Sequence, residues 1–444
     1  MEIASKATKI DLFSFRSPHM RAFHLTWMAF FLCFFGWFGI APLMVVVRDE
    51  LGLTKAQIGN TIIASVAITI VARLAIGWLC DKHGPRLVYT VLLGLGSLPV
   101  MGIGLSQSYE SFLLFRLAIG AIGASFVITQ YHTSLMFAPN TVGTANATTA
   151  GWGNLGGGVT QMVMPLVLGG LLFLGVSTGM SWRLAMVFPG ALMIVTAVLY
   201  YKLTTDTPRG NFAELRARGE MGPASGQNGS FLEAAKDYRV WALFVIYAAC
   251  FGVELTINNV AALYFADGFK LSVQTAGMIA GLFGLMNIFA RTLGGVAGDR
   301  AGIRWGLRGR VAFMGAVLFA EGLALMLFSQ MTVLPLAIAT LIGFSMCVQM
   351  AEGATYSVVP FVNKKALGSV AGIVGAGGNA GAVAAGFLFR SESFTTQQAL
   401  FTLGVAVVAA ASLAVLVRFS KQDEHQARAE LSDALLGQAV PAAE

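Results

Sequence analysis

The sequence predicts an all-α membrane protein of twelve transmembrane helices, arranged as two pseudo-symmetric six-helix bundles. Three observations carry that prediction. Of 444 residues, 56% are hydrophobic and only 11% charged, with a mean hydropathy of +0.72, whereas a soluble domain is roughly half apolar and a quarter charged. Apolar runs of the length needed to cross about 30 Å of hydrocarbon follow one another along the chain. Two sequence patterns recur at a separation near half its length, as a duplicated bundle requires. The lipid bilayer is therefore the expected solvent, and the amount of apolar surface excludes disorder.

Residues 1–21 are polar and basic and lack the short apolar core and small-residue cleavage site of a secretory signal, so they are expected to form a cytoplasmic arm. Spans follow at 22–47, 57–79, 87–105, 111–137, 144–174 and 183–201, making an N-terminal bundle over 22–203. The stretch 204–238, with Pro208, Pro223, several glycines and mixed charges, reads as a cytoplasmic linker. The second bundle, 239–419, holds spans at 239–266, 273–297, 311–329, 333–361, 368–390 and 398–419, and 420–444 forms a cytoplasmic tail. With the segments between spans assigned alternately to the two sides, 21 of the 29 Lys and Arg share the side of both termini and five lie opposite. That asymmetry marks the termini as cytoplasmic, and the expected location is the inner (plasma) membrane. The net charge of +7 does not point to nucleic acid, because it is spread over interhelical loops rather than clustered on one solvated face. Cys33, Cys80, Cys250 and Cys347 stand singly in or beside apolar runs, without the spacing of a disulfide framework or a metal site.

The first recurring pattern is ARLAIGWLCDKHGPR (72–86) against ARTLGGVAGDRAGIR (290–304), aligned without gaps at an offset of 218. In it Arg73, Gly77, Asp81 and Arg86 recur as Arg291, Gly295, Asp299 and Arg304. The second is GWGNLGG (151–157) against AGGNAGA (376–382), centred on Asn154 and Asn379. Gly77 and Gly295 are expected to let neighbouring helices approach closely, and Asp81 and Asp299 to meet a helix N-terminus or a cytoplasmic Arg. The motif then holds the cytoplasmic side together rather than touching a substrate. Gly-x-x-x-Asp-Lys/Arg-x-Gly-x-Arg after the second helix, repeated after the eighth, resembles the major facilitator superfamily. The resemblance implies a monomeric carrier of two six-helix halves, and a packing and gating role for Arg116 in the fourth span.

Away from the span ends, Arg73, Arg116 and Arg291 are the only Lys or Arg within the spans. An Arg there costs at least about 2.5–3.5 kcal/mol and cannot escape by losing its proton. Arg73 and Arg291 hold matched positions near mid-membrane, where duplicated transporters place their site. Two planar guanidinium forks suit a small planar oxyanion bound by bidentate hydrogen bonds; the alternative is that each Arg only neutralises a carboxylate. The spans contain three carboxylates, Glu254, Glu321 and Glu352, all in the second half. Tyr247, Phe251 and Glu254 share one face of the seventh helix, while Glu321 and Glu352 are expected to be buried against an Arg or a backbone group. Gly151 and Gly153 in the fifth span, and Gly377 and Gly378 in the eleventh, remove side chains from their faces. Such faces serve tight packing or, against a cavity, close backbone approach to an anion. Asn154 and Asn379 are candidate amide donors there, and His132 is expected to be a satisfied structural group.

FHLTWMAFFLCFFGWFGIAPL (23–43), AGWGNLGGGVTQMVMPL (150–166), FGVELTINNVAALYF (251–265) and AEGATYSVVPFV with GAGGNAGAV (351–383) are similar to the nitrate/nitrite porter family of that superfamily, in its assimilatory branch. The resemblance runs from about residue 22 to 390. It implies that Arg73 and Arg291 clamp nitrate or nitrite, that Phe126 and Phe251 place rings on either side of the anion, and that Tyr247 donates its hydroxyl. Two fixed cations facing one monovalent anion leave about one charge in excess in a low-dielectric site. With arginines alone the carrier would return with a second anion, as a nitrate/nitrite antiporter. With Glu254 ionised in the empty site and taking up a proton with the anion, it would be a proton symporter. A nitrate sensor without turnover is a further class, although no signalling domain accompanies the bundle. No nucleophile elbow, zinc motif, haem-ligating pair or phosphate loop stands at a plausible site, so neither an enzyme, a cofactor nor a metal is expected.

Overall fold

A computed structural model of the chain describes residues 6–7, 9–137, 142–220, 228–363, 367–425 and 427. Its membrane-spanning elements are α1 (Pro18–Leu51), α2 (Lys55–Cys80), α3 (Pro85–Leu105), α4 (Tyr109–Met136), α5 (Thr144–Phe173), α6 (Thr178–Leu203) and α7 (Tyr238–Phe269). A continuous apolar stretch Val273–Ser329 divides at Gly306, giving α8 (273–305) and α9 (307–329). α10 (Leu334–Phe361), α11 (Ser369–Arg390) and α12 (Thr396–Leu416) complete the twelve among the described residues. Outward faces bear exposed apolar side chains such as Leu95, Leu114, Leu166 and Phe387, an arrangement solvated by lipid and not by water.

Local signals explain the element ends. Ser17 accepts a hydrogen bond from the Met20 N–H and Pro18 opens α1, so this helix begins four residues before the position the apolar run predicts. Capping boxes at Thr54–Gln57 and Thr395–Gln398 start α2 and α12. Gly306, at φ 72° and ψ −163°, is a conformation open to glycine and breaks α8 from α9. The Glu424 carboxylate from the tail caps the new start, accepting from the Leu307 N–H at 2.9 Å and the Arg308 N–H at 3.1 Å. The linker, read from sequence as irregular, holds the short helices Phe212–Ala217 and Asn228–Lys236. Its Asp206 accepts from the Arg86 N–H at 2.8 Å and the Phe212 N–H at 2.9 Å, and burial raises its carboxyl above the ordinary range.

The halves meet along α2 with α11 and α5 with α8. A Cβ on Gly158 would run into the backbone of Gly284, and one on Gly284 into Gly158; the glycine run of α5 is thus explained in part by backbone contact between helices. Gly377 packs on the Phe244 carbonyl and Gly153 on the Phe30 ring. At the end of the bundle bearing the α1–α2 turn, Arg48 meets Asp267 at 2.5 Å and Lys55 donates to the Phe394 carbonyl, tying the halves together.

The two motif glycines differ in their surroundings. A Cβ on Gly77 would find only Val127 at 3.9 Å, and one on Gly295 would find open space. The close approach in the second repeat involves the facing helix: a Cβ on Gly353 would meet the Arg291 carbonyl and the Gly295 nitrogen, and one on Gly294 would meet the Met350 backbone. Asp299 pairs with Arg310 of its own half. The Arg86 Nε donates to the Tyr201 carbonyl at 2.8 Å with its guanidinium over that ring, and Arg304 lies over Trp305. The Asp81 side chain lies outside the described residues. No disulfide links the cysteines among the described residues.

Candidate functional site

Arg73 is 8% exposed and Arg291 7%, so both are nearly removed from water in the middle of their helices. The Arg73 Nη1 donates to the Gly375 carbonyl of α11 at 2.9 Å, a bond across the two halves. Gly375 permits it, because a Cβ there would stand 3.2 Å from the Tyr356 hydroxyl and 3.7 Å from this nitrogen. Phe126 of α4 and Phe251 of α7 flank the guanidinium, with ring centroids 5.5 and 5.9 Å away. Their π faces stabilise the cation without neutralising it. Nε and Nη2 of Arg73 are buried without a hydrogen-bond partner, and no carboxylate pairs with this residue among the described residues. Thr69, one turn earlier, is not its partner: that hydroxyl donates to the Gly120 carbonyl at 2.7 Å.

Arg291 has a different shell. Its Nη2 donates to the Tyr247 hydroxyl at 3.0 Å, and its Nη1 lies 2.6 Å from Glu352 Oε2. Nη1 and both Glu352 oxygens nevertheless lack an aligned hydrogen bond, so this contact is Coulombic. Tyr247 stacks on Phe251 with centroids 5.3 Å apart and takes the Tyr356 ring edge-on at 5.1 Å. The seventh-helix face read from sequence therefore exists, and it runs from one arginine to the other.

Glu254 does not contact an arginine. Its Oε1 accepts from the Asn287 amide at 2.8 Å and its Oε2 from the Asn154 amide, across the halves, at 3.4 Å. Asn379 donates to the Val66 carbonyl at 3.4 Å, again across the halves. Gly151 faces the Asn287 carbonyl, and Gly378 is filled by the Phe251 side chain. Arg116 is wholly internal, donating to the Trp37 carbonyl at 3.2 Å and to Asn259 Oδ1 at 2.8 Å. His132 bonds Tyr200 at 2.5 Å and the Thr205 carbonyl at 2.8 Å, a structural role. Of the remaining carboxylates, Glu352 has the expected Arg partner, whereas Glu321, fully buried, has none for either oxygen.

Sequence reasoning passed over Tyr356 as a site residue and gave Glu352 no role beyond a buried contact with an Arg or a backbone group. Tyr356 lies one turn beyond Glu352 in α10, the same spacing that marks Tyr247 and Phe251 in α7, and that repetition was the available signal.

The profile of the Major Facilitator Superfamily matches residues 26–358. The high affinity nitrate transporter 2.5 of Arabidopsis thaliana is 39% identical over 425 residues, covering 94% of this chain and 84% of its own. The chain belongs to the nitrate/nitrite porter family of the major facilitator superfamily. Its relatives in this family also include the nitrate/nitrite transporter NrtP of Picosynechococcus, 30% identical over 84% of this chain and 85% of the relative. A bacterial homologue of the human lysosomal transporter Spinster, solved inward-facing and unoccupied, shares the fold with a TM-score of 0.71 at 16% identity, covering 93% of this chain and 99% of that one. The protein is accordingly a multi-pass membrane transporter and not an enzyme.

Proposed function

We propose that this porter imports nitrate, and also nitrite, across the inner membrane by alternating access, as a monomer with both termini in the cytoplasm. The observation that carries the proposal is the unpartnered donor edge of Arg73, held between Phe126 and Phe251 in a dry setting. A buried cation with idle planar donors and no carboxylate is stabilised by a planar oxyanion that supplies both acceptors and charge. Arg291 and Tyr247 close the other side. The printed names of the relatives, nitrate and nitrate/nitrite transporters, agree with that chemistry.

Alternating access needs inter-half contacts that break one side at a time. Arg48 with Asp267 supports one such closure, while Arg73 with Gly375 and Glu254 with Asn154 join the halves beside the site. Coupling to protons is assigned to Glu254, whose carboxyl spans both halves through amides. Nitrate/nitrite exchange is the second reading, favoured by the fact that Glu254 touches no arginine. Reconstituted protein given labelled nitrate, with an imposed proton gradient in one arm and internal nitrite in the other, separates them. Accumulation in the gradient arm is expected; uptake in the nitrite arm alone establishes exchange, and uptake in neither refutes nitrate transport.

A further inference from the structure

Arg116 lies apart from the site built on Arg73 and Arg291. It is 1% exposed, and no carboxylate stands within ion-pair distance of it among the described residues. Its three nitrogens are used unequally. Nη1 donates at 3.2 Å to the Trp37 carbonyl, which lies in the last turn of the first segment of α1, where the helix stops at Phe38 before the tight turn Ala41–Leu43. Nη2 donates at 2.8 Å to Asn259 Oδ1 of α7, in the other half. The Asn259 amide nitrogen is committed to the Leu255 carbonyl at 2.8 Å, so its oxygen is the atom that faces the arginine. Nε is buried without a partner. Nε and Nη2 form one edge of a guanidinium, a pair of parallel donors that grips a planar oxyanion. On Arg73 that same edge is wholly idle. On Arg116 a neutral amide oxygen covers half of it and leaves the charge without a counter-ion.

Along α4, ten residues separate Arg116 from Phe126, about 15 Å at the helical rise, toward the end of the bundle that bears the α1–α2 turn. That end is closed. Arg48 with Asp267, Lys55 with the Phe394 carbonyl, and Gln161 Nε2 on the Asn258 carbonyl at 2.7 Å join the halves there, as Arg116 does with Asn259. Both polar atoms of the Asn258 side chain are buried without partners, and so is Gln161 Oε1. Resting on the transport reading, in which this end faces outward, we propose that Arg116 is a second anion-binding station, outward of Arg73 and Arg291, and that Asn259 holds its place while the outer side is shut. When the halves part at that end, Asn259 withdraws with α7 and the Nε and Nη2 edge stands open. A nitrate or nitrite from outside supplies both acceptors and the missing negative charge, and it passes inward to the matching edge of Arg73 as Asn259 returns. A fixed, uncompensated cation at the mouth of the central site thus concentrates the anion there.

The test sets initial rates of labelled nitrate uptake into proteoliposomes, with the outer face outward, beside nitrate affinity at equilibrium, measured by calorimetry on the purified full-length protein. Arg116→Gln keeps a donor for the Asn259 oxygen but removes the charge and the fork. Its uptake KM is expected to rise about tenfold or more with kcat held, while equilibrium affinity, set at a central site more than about 10 Å away, stays within about twofold. Arg116→Lys, a charge without the fork, should fall between Arg116→Gln and the unchanged protein. A purely structural bond between the halves predicts the opposite split, an altered kcat at an unchanged KM, and that result overturns the station. Should Arg116→Gln fail to fold, Asn259→Asp decides. It keeps the arginine and sets a permanent carboxylate on the same edge, so a raised uptake KM at unaltered equilibrium affinity supports the station and an unchanged KM overturns it. Nitrate uptake by the unchanged protein with the same KM in Arg116→Gln overturns the station and leaves nitrate transport standing, whereas no uptake by the unchanged protein overturns both.

Discussion

Arg73 and Arg291 are the same residue in the two repeats, but their surroundings are not the same. Arg73 sits between two phenyl rings with a carbonyl on one nitrogen and nothing on two others. Arg291 has a tyrosine hydroxyl and a carboxylate. Duplication supplied two cations, and divergence neutralised one of them. The N-terminal half therefore presents an unpaired guanidinium edge, and the C-terminal half presents a guanidinium already paired with a carboxylate.

The largest effect should come from the bare side. In Arg73→Lys an ammonium cannot reproduce the planar fork, and loss of one charge-assisted hydrogen bond, about 1.5–3 kcal/mol, should weaken nitrate binding by about 10- to 150-fold. Calorimetric affinity equal to that of the unchanged protein would break the comparison at its root. Arg291→Lys should lose less, on the order of tenfold, because the new ammonium can still pair with Glu352. Equal losses in the two variants would show that the halves bind the anion alike. Phe126→Ala removes one ring from the Arg73 sandwich, and a cation–π contribution of about 0.5–2 kcal/mol predicts a several-fold weaker affinity. The same measurement on Phe251→Ala should agree, with an added effect through the Tyr247 stack. The smallest change is expected far from both arginines. Asp267→Asn loosens a partly exposed pair with Arg48, worth about 0.2–1 kcal/mol, so transport rate should shift less than about fivefold while nitrate affinity at equilibrium changes even less.

Much of the site was legible because a charge in hydrocarbon must have a reason. Arg73 and Arg291 stood out by position alone, and the spacing of Tyr247, Phe251 and Glu254 placed them on one face before any coordinates. The glycine runs were legible only as a class. Which glycines meet backbone depends on what lies opposite, so Gly158 meets Gly284 and Gly295 meets Gly353, while a Cβ on Gly77 would find only the Val127 side chain at 3.9 Å. Glu321 and Glu352 looked equivalent in the sequence, as single acids in apolar runs. One faces Arg291 and the other faces no partner, a distinction that rests on the rotation and neighbours of their helices.

Composition, hydropathy and the repeat were enough to establish lipid as solvent, the count of helices, the duplication and the two arginines, because those follow from the cost of placing polar groups in hydrocarbon. Which carboxyl meets which arginine needed the packed bundle. Helical periodicity sets the face a side chain occupies, but only contacts between helices far apart in the chain decide what that face meets.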